Sequence, residues 1–87
     1  MALFVVSDLI TVASGYVVYL IQNGSGEDTH PQEVRILTDE NGDYLRDAEI
    51  VALSGDPLRM GTEGMIAKLL HLRTERGEWP RRASLQC

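Results

Sequence analysis

Leu9-Ile10-Thr11-Val12-Ala13-Ser14-Gly15-Tyr16-Val17-Val18-Tyr19-Leu20-Ile21-Gln22 is the stretch on which the fold turns. Valine, isoleucine, threonine and tyrosine dominate it. Such side chains lose rotamer freedom in a helix and pack well on a pleated surface, so the stretch reads as strand. Ser14-Gly15 interrupts it with a turn pair and divides it into strands from Leu9 to Ala13 and from Tyr16 to Gln22, joined as a tight hairpin. A short strand at Leu3 to Val6 is expected before the first of these. The competing reading is a buried helix over the first dozen residues, because a short apolar run does not separate the two by periodicity.

Outward from the hairpin, Asn23 to Gln32 carries two glycines, a proline and no apolar residue. It reads as a long loop, of a length at which loops are either functional or loose. Glu33 to Thr38 then reads as a strand. Asp39-Glu40-Asn41-Gly42 is expected to turn the chain so that Ile36 faces Leu45 and Leu37 faces Tyr44. Ala48 to Leu53 reads as another strand, closed by Ser54-Gly55-Asp56-Pro57. Asp56 and Pro57 together suit a helix start, the carboxylate accepting from free N–H groups and the proline losing none. Met65, Ile66, Leu69, Leu70 and Leu72 recur at spacings of three and four, which predicts an amphipathic helix from about residue 57 to 76. Gly77 ends it and Pro80 prevents its resumption. Residues 77–87 read as a polar tail broken only by Trp79 and Leu85.

These elements predict one α+β domain over residues 1–87: an antiparallel sheet of four or five strands within residues 3–53, and one C-terminal helix across one face. The expected core is Val5, Leu9, Ile10, Val12, Val17, Tyr19, Ile21, Val34, Ile36, Leu45, Ile50, Val51, Met65, Ile66, Leu69, Leu70 and Leu72. One helix covers one face of a sheet. Tyr16 to Ile21 is apolar at every position, so its second face also needs cover, and a homodimer is the expected assembly.

Composition fits this picture. With 87 residues, 44% hydrophobic and 24% charged, the chain has room for one core. Its only cysteine is Cys87. The lack of an internal disulfide in so small a domain favours a reducing compartment, and a cytoplasmic location is expected. Leu3 to Ile21 approaches the length of a membrane span, but Asp8 sits inside it and no Lys or Arg precedes Arg35. No span and no signal peptide is expected.

The formal charge of −5 is unevenly spread. Residues 1–56 carry ten acids against Arg35 and Arg46, whereas residues 57–87 carry six bases against three acids. Arg73, Arg76, Arg81 and Arg82 form a candidate basic patch, although an acidic chain is a poor partner for nucleic acid and bases near a helix C-terminus also suit its dipole. Asp39, Asn41 and Asp43 alternate like the first ligands of a calcium loop, but the glycine comes early and Ile50 stands at the twelfth position, so turn chemistry explains them. His30 and His71 lack a partner at metal-ligand or catalytic spacing, with His71 expected at the border of the helix's apolar face. No nucleophile elbow or phosphate loop is present, and no catalytic residue, metal site or cofactor is assigned. Arg81-Arg82-Ala83-Ser84-Leu85 resembles the substrate consensus of basophilic protein kinases of the cyclic-AMP-dependent type.

Three functions follow. A non-enzymatic protein-interaction or regulatory domain fits best, since the acidic composition comes with no catalytic grouping. A small-molecule-binding domain or enzyme would place a pocket at a dimer seam lined by Tyr16, Tyr19, His71 or Trp79. Nucleic-acid binding would use the four arginines.

Overall fold

A computed structural model describes residues 4–23 and 31–86. The β-branched stretch forms a hairpin of two long strands, β1 (Phe4–Ala13) and β2 (Tyr16–Asn23), turning at Ser14 and Gly15. Gly15 has φ 95°, a conformation in which a side chain would be strained. The expected short strand at Leu3 to Val6 is not separate, because β1 runs unbroken from Phe4 through the hairpin. β3 (Gln32–Leu37) continues the meander and β4 (Val51–Ala52) is a two-residue edge. α1 (Met60–Arg76) crosses one face, and β5 (Arg82–Gln86) returns beside β1. The sheet order is β4-β3-β2-β1-β5, antiparallel throughout.

Val5, Val17, Tyr19, Ile21, Val34, Ile36 and Ala83 from the sheet meet Met65, Ile66 and Leu69 from α1 in the core. Alternation along each strand puts these residues on the helix side. The helix starts three residues later than Pro57. Asp56 does not cap it: its carboxylate accepts from the Ser54 hydroxyl at 3.1 Å. The cap comes instead from β3, where buried Gln32 accepts at Oε1 from the Arg59 N–H (3.1 Å) and the Thr62 hydroxyl (2.7 Å) and donates from Nε2 to the Pro57 carbonyl (3.0 Å). At the other end Gly77 takes φ 79° and donates to the Arg73 carbonyl, as its position predicts.

Several expectations need correction. Residues 82–86 are a strand and not a tail: Ala83 and Leu85 pair with Ser7 and Val5. Five residues of RASLQ are too short and too polar to announce a strand, and the edge that recruits them lies at the other end of the chain. The turn after β3 is longer by one, so Thr38 bridges Tyr44 and the Leu45 N–H donates to the Leu37 carbonyl. Ala48 to Leu53 contracts to two paired residues. Ile10, Val12, Leu45 and Val51 are exposed, not core. Ile10 is the extra residue of a bulge, since Leu9 pairs with Tyr19 and Thr11 with Val18. β5 pairs only as far as Asp8, which leaves Val12 on an uncovered edge. Of the segment Asn23 to Gln32 read as a long loop, Asn23 ends β2 and Gln32 opens β3, where its amide is buried, so the loop reading fails at both ends; residues 24–30, His30 among them, lie outside the described residues.

Candidate interaction surface

The face of the sheet turned away from α1 is built by the alternate residues of each strand. Register defines its rows. Leu37, Tyr16 and Ala13 form the first; Val51, Arg35, Val18 and Thr11 the second; Glu33, Leu20, Asp8 and Arg82 the third; Gln22, Val6 and Ser84 the fourth. Val18 at the centre is 7% exposed, while Tyr16, Leu20, Leu37 and Val6 around it are half-buried. Phe4 and Val51 stand exposed at the margin. Among the described residues no element packs on this face; the helix contacts β1, β2 and β5 from the other side. Asp8 and Arg82 approach to 3.7 Å across the β1–β5 pair. Glu33 and Arg35, exposed on β3, meet no opposite charge among the described residues.

The residues proposed from sequence for a seam pocket do not converge. Tyr16 lies on the open face, whereas Tyr19 is fully buried on the helix face with its ring 6.1 Å from that of Trp79. His71 is exposed on α1 and meets Glu75 one turn on at 2.9 Å, so it does not border the apolar face. The polar atoms of this aromatic pair are engaged structurally: the Tyr19 hydroxyl donates to the Pro80 carbonyl and Trp79 Nε1 donates to the Gly42 carbonyl, each at 2.7 Å. A groove of about 380 Å³ lies elsewhere, between Ile50, Ala52, Pro57 and Leu58, with Glu49, Asp56 and Glu63 at its rim.

Tyr19 gives a pH test of this packing. Burial raises its phenol well above the ordinary value of 10.0. Above pH 10 the unfolded chain then releases this proton while the folded one retains it, so stability falls as pH rises. The expected slope is about 1.4 kcal/mol per pH unit, on top of whatever other groups contribute. Tyr19→Phe should lack that component in urea titrations between roughly pH 9 and 11. Equal slopes for the two proteins would show the hydroxyl to be solvated.

The basic patch is also divided. Arg73 is largely buried and holds the turn after β3, donating from Nε to the Gly42 carbonyl (3.3 Å), from Nη2 to the Asn41 carbonyl (3.2 Å), and pairing with Asp43 (3.0 Å). Asp39 Oδ1 in the same turn accepts from the Asn41 and Asp43 N–H groups, which accounts for the alternating acids without a cation. Among the described residues no three His, Cys, Asp or Glu side chains are grouped to hold a metal. Arg76, Arg81 and Arg82 are all exposed, and Arg82 faces Asp8. Ser84 is held in β5, with its carbonyl accepting from Lys68 Nζ, so the kinase-like string is a paired strand and not a free peptide. Among the described residues no helix is long and apolar enough to cross a membrane.

The fold and this surface define a two-layer α+β domain in which, among the described residues, one sheet face is covered by the helix and the other is open. Compared with protein-family models, with curated proteins and with solved structures, the chain matches none.

Proposed function

We propose that this chain is a non-enzymatic protein-interaction domain that acts through the open face of its sheet. One observation carries the reading: Val6, Tyr16, Val18, Leu20 and Leu37 form an apolar strip across β1, β2 and β3 that no described element covers. Antiparallel sheets with one solvated face normally alternate apolar with polar, and β2 departs from that rule over Tyr16 to Ile21. The homodimer expected from sequence would use this face, and the cytoplasmic location remains part of the same proposal.

The alternatives have weaker support. A ligand seam calls for Tyr16, Tyr19, His71 and Trp79 around one cavity, and they occupy three separate places in the fold. Phosphate binding would rest on Arg76 and Arg81, because Arg73 and Arg82 already face carboxylates. Those two arginines, on a chain of charge −5, yield little counterion release.

A photo-crosslinking side chain in place of Gln22, exposed on the open face, tests the reading against one in place of Thr74, exposed on the helix. Position 22 is expected to trap a defined protein in cell extract, either another copy or a different chain, and position 74 is not. Crosslinks from position 74 alone, or from neither, would overturn it.

A further inference from the structure

Resting on that reading, we infer that the occupant of the open face is a second copy of this chain, joined across a twofold axis that sets Glu33 of each copy against Arg35 of the other. The apolar strip supplies the contact and the charges supply the choice of partner. A net charge of −5 opposes self-association of the chain as a whole. On the open face Asp8, Glu33, Arg35 and Arg82 balance, so two copies can approach there without net repulsion.

The pattern also selects the axis. Two sheets packed face to face lie ~10 Å apart with strands within about 30°, and an isologous contact requires that whatever residue i meets, j must meet in return. An axis running along the strands through β2 would lay β3 over the partner's β1 in the same row. That places Glu33 over the partner's Asp8, a like charge, and leaves Arg35 over the partner's Thr11. An axis running across the strands, between the Val18 row and the Leu20 row, keeps β3 over the partner's β3 and reverses the rows. Leu20 then nests on the partner's Val18 and Glu33 faces the partner's Arg35, twice over by symmetry. β3 lies one strand spacing, ~4.8 Å, from β2, so a 30° crossing shifts these groups by only about 2 Å, within reach of two long side chains. Asp8 and Arg82 already meet within one copy, whereas Glu33 and Arg35 are the pair left over for a partner.

The four rows hold fourteen residues, fewer than the roughly 20–30 a side of a stable interface, so the dimer should dissociate on dilution. Sedimentation equilibrium from roughly 1 mM down to 10 μM is the measurement, a span that brackets weak association. Wild type is expected to pass from dimer to monomer over it. Arg35→Glu and Glu33→Arg should each weaken association at least tenfold, with thermal unfolding of the monomer unchanged because both positions are exposed. The doubly exchanged chain should recover the wild-type constant. Most tellingly, Arg35→Glu mixed with Glu33→Arg should form a heterodimer, since every cross-contact is then between opposite charges. Wild type remaining monomeric at 1 mM would overturn the inference, and crosslinks from position 22 to a different protein would then leave the interaction reading standing. A wild-type dimer indifferent to all of these exchanges would overturn the proposed axis.

Discussion

Trp79→Ala is expected to lower the free energy of unfolding by about 3 kcal/mol and to expose the chain to trypsin after Arg81 or Arg82. The indole is half-buried against Tyr19 and donates to the Gly42 carbonyl, and the next residue, Pro80, accepts from the Tyr19 hydroxyl. These two residues therefore fasten the segment from which β5 departs. Loosening it weakens the pairing of Arg82–Gln86 with β1 and bares the β1 edge from Phe4 to Asp8. Urea unfolding gives the energy, and limited proteolysis read by mass gives the site. Trp79→Phe keeps most of the apolar contact and loses only the hydrogen bond, so a cost of about 1 kcal/mol is expected there. An unchanged midpoint and no cleavage for the alanine variant would show that β5 holds itself in place.

Gln32→Ala should cost a similar amount, about 3 kcal/mol, by a different route. One buried amide joins β3 to the start of α1, donating to Pro57 and accepting from Arg59 and Thr62. Without it the Pro57 carbonyl and the Arg59 N–H lose their partners, and the first turn of α1 should fray. Gln32→Glu retains both acceptor contacts beside the positive end of the helix dipole and loses only the donor, so about half the effect is expected. Hydrogen exchange at Arg59 to Glu63 would accelerate in the alanine variant well before global unfolding. Exchange that slows or stays fixed there would mean that the helix start is held by packing alone.

The contacts of Trp79 and Gln32 join residues far apart in sequence, unlike those that shape the hairpin. The hairpin was legible because β-branched side chains, a Ser-Gly turn and apolar spacing all agree locally over residues 9–22. The helix body and its Gly77 stop were legible for the same reason. Its start was not: Asp56-Pro57 has the local chemistry of a cap, yet the amide of Gln32 takes that role from twenty-seven residues away in sequence. Arg73 reads as one of four basic surface residues until the fold brings the Asn41 and Gly42 carbonyls to it. Trp79 stands out in sequence as the break in a polar segment, but its anchoring contacts with Tyr19 and the Gly42 carbonyl come only from the fold.

Residue types and their spacing were sufficient to determine the class of fold, the hairpin at its centre and the existence of a second apolar face on β2. All of these follow from interactions between residues a few positions apart, which the chain carries whatever its surroundings. The tertiary structure alone decided that Arg82–Gln86 is a strand, that the N-terminal and C-terminal strands are neighbours, and that Glu33 and Arg35 share the open face with Val18 and Leu20. Each of these depends on which distant edge or face a segment meets, and an edge of β1 free to pair is a property of the assembled sheet.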